Sequence, residues 1–268
     1  MGLRHRGFAA LTGLLLAAMP VQAETPVERL GEVLLLGEVV DVLHDEGLRY
    51  GETLDRDLLG GSGGSYFASQ VERFYDKPAM LQVLRAALNR RMSEEEIAES
   101  LAFFDTEAGH RILRLEVSAR LAMSDPAVED AALEAFAAAA GEGDPRAADV
   151  ERFVEVNDLS ERNVSGALSS NYRFYLGLVD GGGREMGDDE IIDEVWGQEE
   201  EIRATTGDWL NSFLYMAYQP LSDAEMQAYL DYSASEGGQA LNAALFDGFD
   251  EMFHAIYYAL GRAVAQAM

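Results

Sequence analysis

Two Glu-x-x-His pairs have the spacing that a helical metal site requires. Glu107 with His110, and Glu251 with His254, each place a carboxylate and an imidazole on one helix face. Di-iron sites in helical bundles combine two such pairs with two further glutamates from other helices. Glu107, however, lies in the first turn of a predicted helix beside Gly109, where an acid stabilises the positive end of the helix dipole. We therefore predict no metal site at these residues.

Three other segments match catalytic or ion-binding patterns only formally. Residues 60–64 (GGSGG) fit the Gly-x-Ser-x-Gly nucleophile elbow but lie between predicted helices, where that elbow requires a preceding strand. Lys77 follows no glycine-rich loop and so belongs to no phosphate-binding motif. The acidic segment 180–190 offers the oxygen ligands that calcium prefers, so weak calcium binding is an alternative function. The segment lacks the ligand spacing of an EF-hand, however, and contains Arg184. The sequence predicts no catalytic residue and no cofactor.

Composition excludes several classes of function. The chain has 268 residues, with 48 acidic and 20 basic side chains, a formal net charge of -28 and no cysteine. Disulfide bonds, thiolate metal sites and cysteine nucleophiles are therefore impossible. Nucleic-acid binding is not expected, because phosphate affinity comes from clustered Lys and Arg side chains. The apolar fraction of 48% is that of an ordinary folded protein, so the charge does not imply disorder.

The first 23 residues have the three parts of a secretory signal peptide. Arg4 and Arg6 provide a positive start, and residues 8–18 form an apolar run that is too short to span a membrane. Val21 and Ala23 occupy the small-residue positions of a cleavage site. We predict cleavage after Ala23 and a periplasmic or secreted mature protein without a membrane span.

Beyond residue 23 the apolar residues recur at helical spacing, and no segment shows the strict alternation of a strand. The sequence therefore predicts an all-α helical bundle. Residues 27–58 are predicted to form one long helix, in which Gly37, Gly47 and Gly51 allow a second helix to approach closely. Residues 188–218 are predicted to form another long helix.

The last helix is predicted over residues 235–268 and is apolar on more than one face. Its large apolar residues are Leu241, Leu245, Phe246, Phe249, Met252, Phe253, Ile256, Tyr257, Leu260 and Val264. A central helix covered on several sides by the bundle explains this pattern. The alternative is a surface for a partner or an apolar ligand, because aromatic residues and methionine favour interfaces.

A short segment recurs within the chain. Met92-Ser93-Glu94-Glu95-Glu96-Ile97 and Leu221-Ser222-Asp223-Ala224-Glu225-Met226 match at an offset of 129 residues, from Ser93 to Ser222. Each segment predicts a capping box at a helix start. In such a box Ser93 or Ser222 accepts a hydrogen bond from the third helical N–H. Glu96 or Glu225 in turn accepts one from the N–H of the serine.

The match continues into the following helix. Phe103 corresponds to Tyr232, Thr106 to Ser235, and Gly109 to Gly238. Thr106 and Ser235 are predicted N-caps, and the two glycines allow close packing on their backbone, so each copy is a helix, a tight corner and a second helix. Residues 141–144 provide a break between the copies. We predict two helical repeat units, residues 24–140 and 145–268, forming either separate domains or one bundle.

The pattern aromatic-aromatic-x-Ser/Thr-x-x-Gly, after a Ser-x-x-Glu helix start, resembles the domain of unknown function 2059 family of bacterial exported proteins. Residues 103–112 (FFDTEAGHRI) and 115–120 (LEVSAR) contain the pattern first. Residues 232–241 (YSASEGGQAL) contain it again, with Ser233 in place of the second aromatic residue. The resemblance implies an all-helical exported protein with two tandem copies, and it implies no catalytic residues.

These features favour a non-catalytic binding or interaction module for an envelope protein or an apolar ligand. The alternative from a different class is a carboxylate-based hydrolase, because the many Asp and Glu residues could include an acid/base pair. Two close, buried carboxylates in a cleft would favour the hydrolase, whereas a continuous apolar groove between the repeats would favour binding.

Overall fold

The computed structural model describes residues 24–268, and the predicted signal peptide, residues 1–23, lies outside the described residues. Residues 24–268 form thirteen α-helices and no β-strand, which confirms the all-α prediction. In chain order the helices are α1 (Pro26–Val33), α2 (Leu36–Leu58), α3 (Gly64–Phe74), α4 (Lys77–Arg91), α5 (Glu94–Phe104), α6 (Glu107–Ala122), α7 (Pro126–Glu142), α8 (Pro145–Val156), α9 (Leu159–Asp180), α10 (Asp188–Trp196), α11 (Glu199–Tyr218), α12 (Asp223–Ser233) and α13 (Glu236–Ala267). Over this described range, no helix is both long enough and apolar enough to cross a bilayer.

The prediction of one helix over residues 27–58 was wrong, because the chain breaks between α1 and α2. Leu35 adopts a left-handed conformation with a φ of 55°, which costs a non-glycine residue about 1 kcal/mol. Leu34 and Leu36 are both buried. Residues two apart point about 200° from each other on a continuous helix, so the break allows both leucines to enter the core.

The prediction of one helix over residues 188–218 was wrong as well. α10 ends at Trp196 and α11 begins at Glu199, with Gly197 and Gln198 between them. The Gln198 side chain donates to the carbonyl of Glu194 and accepts from Asn171 of α9. Tertiary hydrogen bonding thus holds a bend that the apolar periodicity does not indicate.

The six helices before α7 and the six helices after it share several local features. α1 and α8 each begin with a capping residue followed by proline, at Pro26 and Pro145. Leu35, before α2, and Asp158, before α9, are the two non-glycine residues with positive φ in the described chain. The capping boxes and tight corners then recur in α5–α6 and α12–α13. We refer to α1–α6 as the first set of helices and to α8–α13 as the second set, with α7 between them.

The two sets of helices share one core. α13 of the second set packs against α4 of the first set, and α6 of the first set packs against α11 of the second. Helices of each set thus pack against helices of the other. A single apolar cluster includes Leu88 and Ile112 from the first set and Met226 and Leu260 from the second. The chain therefore forms one bundle, in which neither set of helices encloses its apolar face alone.

α9 and α13 lie side by side and run in the same direction. Gly166 lies against Asp250 near the start of the pair, and Gly177 lies against Tyr258 farther along both helices. A Cβ atom on Gly177 would lie 2.2 Å from the carbonyl oxygen of Tyr258, and Gly261 approaches the α9 backbone equally closely. The missing side chains allow the contact of the two backbones and so fix the separation of the helices.

Candidate functional site

Both predicted capping boxes form. Ser93 Oγ accepts a hydrogen bond from the N–H of Glu96 at 3.3 Å, and Glu96 Oε2 accepts from the N–H of Ser93 at 2.7 Å. At the start of α12 the corresponding distances between Ser222 and Glu225 are 3.2 and 2.8 Å. The residues of these boxes thus begin α5 and α12, which is a folding role.

Both predicted corners form as well. Thr106 Oγ1 accepts from the N–H of Gly109 at 3.0 Å, and Ser235 Oγ accepts from the N–H of Gly238 at 3.2 Å. A Cβ atom on Gly109 would lie 2.6 Å from the carbonyl oxygen of Phe103, and one on Gly238 only 2.0 Å from that of Tyr232. The helix packed on each glycine is therefore the preceding helix of the same corner.

The two copies of the motif meet through their aromatic residues. The rings of Phe103 and Tyr232, which occupy matching positions, stack with centroids 4.4 Å apart and an interplanar angle of 5°. The Tyr232 hydroxyl donates to Ser100 Oγ at 2.9 Å, and the ring of Tyr229 also stacks on Phe103. The residues at matching positions of the two motifs are therefore in direct contact.

One ion pair distinguishes the second motif from the first. Arg111 Nη1 donates to both carboxylate oxygens of Glu225, at 2.8 and 2.9 Å. Hydrogen bonds from the hydroxyl and N–H of Ser222, followed by the Arg111 pair, lower the pKa of Glu225 to about 2. The residue that matches Arg111 is Ala240, so Glu96 has no such partner from the second copy.

A cavity of about 650 Å³ lies between the two sets of helices. This volume is within the range of small-molecule pockets. One side is formed by α2 and α6, together with Leu34, and the other side by α9, α13 and one residue of α11. The lining is mainly aliphatic and aromatic: Leu34, Val39, Val42, Leu43, Leu113, Val117, Ala167, Phe213, Leu245, Phe246, Phe249, Phe253 and Tyr257.

Positions that match between the repeats form opposite walls of this cavity. Four lining residues of α6 correspond to four lining residues of α13 at the offset of 129. The pairs are Leu113 with Asn242, Glu116 with Leu245, Val117 with Phe246, and Arg120 with Phe249. The two walls differ in chemistry, because the α6 wall contains two charged residues where α13 has a leucine and a phenylalanine.

The apolar residues of α13 divide into two faces. Leu241, Met252, Ile256, Leu260 and Val264 are buried in the core. Leu245, Phe246, Phe249, Phe253 and Tyr257 are only half-buried and line the cavity. The interpretation as a core helix thus applies to one face, whereas the other face lines the cavity.

Glu116 is the acid of the α6 wall. The Tyr218 and Tyr229 hydroxyls both donate to its Oε1, at 2.7 and 3.0 Å. Its Oε2 accepts no hydrogen bond within residues 24–268, and Glu116 is one of the residues that line the cavity. The Glu116 side chain is half-buried in this wall, and burial raises its pKa, although the two tyrosine hydrogen bonds partly oppose the rise. Sequence reasoning missed Glu116.

A local signal could have found this acid. Ile112, Leu113 and Ala119, which lie one turn from Glu116 on either side, are all buried. An acid on the apolar face of an amphipathic helix must have buried hydrogen-bond partners or face a cavity. Glu116 meets both conditions.

The opposite wall contains a second acid, Asp250, beside an arginine. The Arg162 guanidinium lies 5.4 Å from the centre of the Phe246 ring, and its Nε lies 3.8 Å from the carboxylate of Asp158. Burial raises the pKa of Asp250, and the charges of His254 and Arg162 partly offset this rise. Gly166 makes room for Asp250, because a Cβ atom there would lie 2.9 Å from Oδ1.

The Glu-x-x-His residues are not brought together with other ligands. His110 Nε2 lies 3.3 Å from Asp105, and Glu251 pairs with Arg90. The Nε2 atom of His254 is buried without a hydrogen bond, and burial lowers the pKa of this imidazole. In the chain from residue 24 onward, no group of three or more His, Asp or Glu side chains could hold a metal ion.

The two glycine-rich segments also have structural roles. Ser62 Oγ donates to the carbonyl of Leu59 at 2.6 Å, which closes the turn after α2. In the acidic loop, Glu190 accepts from the N–H of Gly187 at the start of α10, and Arg184 lies over the Tyr175 ring. Ser62, Arg184 and Glu190 therefore make structural contacts in these two loops.

One comparison with known proteins gives a match. Residues 78–138, which span α4–α6 and most of α7, match the model of the family described as "Uncharacterized protein conserved in bacteria (DUF2059)". The match includes the first of the two motifs and supports the resemblance to this bacterial family of unknown function. Comparisons with curated proteins and with solved structures found no match.

Proposed function

We propose that this protein is an exported, non-catalytic binding protein that takes up an apolar ligand in the cavity between its two sets of helices. The observation that supports the proposal is the half-buried face of α13. Leu245, Phe246, Phe249, Phe253 and Tyr257 remain partly accessible although the same helix has a fully buried face. Apolar surface that lines a cavity of this size is typical of ligand sites.

The proposal includes two tandem units related to the same family, residues 24–140 and 145–268, in which α1–α6 correspond to α8–α13 and α7 connects them. Contacts between matching residues support the relation. A cavity whose two walls derive from matching helices is a natural consequence of such a pair, because the shared interface places α6 opposite α13.

A neutral apolar probe tests the binding site. We expect N-phenyl-1-naphthylamine to fluoresce with the purified protein and 1-dodecanol to displace it. Ala167→Trp, which fills the cavity from α9, should weaken probe binding about tenfold or more. Ser165→Trp is the matched control, since Ser165 is exposed on the same helix. Absence of probe binding, or equal binding by the folded Ala167→Trp variant, would contradict the proposal.

Export has a separate test. The proposal places the mature protein in the periplasm, or outside the cell, after cleavage behind Ala23. The intact mass of the protein in the envelope fraction should match residues 24–268. A mass that retains residues 1–23 would contradict export by this signal.

The hydrolase alternative retains one specific observation, since Glu116 and Asp250 both line the cavity and burial raises the pKa of each. Acid/base pairs in enzymes often have such shifted pKa values. Turnover in a broad hydrolase screen that disappears in both Glu116→Gln and Asp250→Asn would favour this alternative over binding.

A further inference from the structure

Glu116, the acid of the α6 wall, has no cation beside it. Glu116 Oε1 accepts from two tyrosines, and no charged side chain contributes to its pKa shift, which comes from burial and these hydrogen bonds. Arg120 lies one turn away on the same wall, but its guanidinium donates to both carboxylate oxygens of Glu46, at 3.0 and 2.8 Å. Two neutral hydroxyl groups thus hydrogen-bond one oxygen of this carboxylate, and its second oxygen can accept a further donor, such as a cation.

The other arginine of the cavity is flanked by acids. Arg162 lies 3.8 Å from the Asp158 carboxylate, and its charge also acts on Asp250. The Nε atom of Arg162 is buried without a hydrogen bond, but an anionic headgroup that approached it would also be repelled by these two carboxylates. The charged groups around the cavity are four carboxylates and two guanidinium groups: Glu116, Asp250, Asp158 and Glu46, with Arg120 and Arg162. This excess of negative charge disfavours an anionic ligand.

The two walls together suit an amphiphile. The α13 wall offers Phe246, Phe249 and Phe253, whose rings accept alkyl chains and also attract cations. The α6 wall offers Oε2 of Glu116 as a hydrogen-bond acceptor. An ammonium group would make a charge-assisted hydrogen bond there, whereas a fatty-acid carboxylate would meet a second carboxylate.

We propose that the cavity selects amphiphiles with a protonated amine over those with a carboxylate, with the ammonium donating to Oε2 of Glu116 and the alkyl chain packing against the aromatic residues of α13. This inference rests on the proposed function, because it names the class of ligand for the same cavity.

Three ligands with the same alkyl chain test the selection. Dodecylamine, 1-dodecanol and dodecanoate, each below its aggregation concentration, compete with N-phenyl-1-naphthylamine for the purified protein. We expect dodecylamine to bind about tenfold or more tightly than dodecanoate. Glu116→Gln keeps an acceptor for both tyrosines, so it should fold, and it should abolish this preference while changing 1-dodecanol binding less than about threefold.

The control removes the same charge elsewhere. Glu134 is exposed on α7, and Glu134→Gln should retain the full preference for the amine. Equal or tighter binding of dodecanoate by the wild type, or a preference that survives Glu116→Gln, would overturn the inference. If dodecanoate binds as tightly as dodecylamine and Ala167→Trp blocks both, charge selection fails while the cavity site stands. If none of the three ligands binds, both proposals fail.

Discussion

α6 and α13 occupy matching places in the fold, yet they differ in what they present to the cavity. The residues that begin the two helices and close the corners before them keep their chemical type, as Thr106 with Ser235 and Gly109 with Gly238 show. The residues that face the cavity do not, since Glu116 matches Leu245. The comparison shows that folding constrains the corners of both units in the same way, whereas the cavity can have two unlike walls.

The largest expected effect comes from adding a side chain to the corner glycines, Gly109 and Gly238. Gly238→Ala places a Cβ atom 2.0 Å from the Tyr232 carbonyl oxygen, so the free energy of unfolding should fall by about 3 kcal/mol or more. Gly109→Ala should act in the same direction. Gly37 is the control, because it is exposed within α2 and a Cβ atom there would meet nothing within 4 Å. Gly37→Ala should be neutral or stabilising by up to about 1 kcal/mol, and urea unfolding measures all three variants.

The capping boxes should differ in strength. Glu225→Ala removes the box and the Arg111 pair, and should cost about 1–2 kcal/mol, whereas Glu96→Ala removes the box alone and should cost less. Because the pKa of Glu225 is lowered to about 2, its stabilising effect is present above its ordinary pKa of 4.5 and is lost as the pH falls towards 2. Unfolding at pH 7 and pH 3 measures this, and equal costs for both variants at pH 7 would contradict the comparison.

The acid of the α6 wall should make stability depend on pH. The pKa of Glu116 is raised, so its protonated form is favoured in the fold, and the stability this contributes below the ordinary pKa is lost as the pH rises through the raised value. Glu116→Gln lacks this loss, so its free energy of unfolding should rise relative to that of the wild type as the pH increases from 4 to 8. Thermal unfolding across this range checks the sign, and a difference that does not change with pH would refute it.

The smallest effect concerns the stacked pair. Tyr232→Phe removes the hydrogen bond to Ser100 and keeps the ring on Phe103, so we expect a loss of about 0.5–1.5 kcal/mol. Ser100 Oγ still donates to the Glu96 carbonyl, so no buried hydroxyl is left unpaired. Tyr232→Leu removes the stacked ring as well and should cost more. Equal losses for the two variants would show that the stacking adds nothing.

Some tertiary contacts were predictable because small residues mark them. Gly47 and Gly51 were expected to allow close approach, and Cβ atoms there would lie 2.3 Å from the Tyr75 ring and 2.6 Å from Val71. Gly37 was expected to do the same and does not, because it faces solvent. A glycine in a helix permits a close contact but does not specify one, so spacing alone could not separate these cases.

The sequence by itself determined the helical class, the capping boxes and the corners, because each depends on hydrogen bonds between residues three apart and on apolar spacing along one helix. The break at Leu35, the exchange of partners between the two sets of helices, and the cavity with its lone acid on the α6 wall were decided only by the tertiary structure. Glu116 illustrates the reason. Its two tyrosine partners lie on α11 and α12, 102 and 113 positions later in the chain, so no local pattern could bring them together.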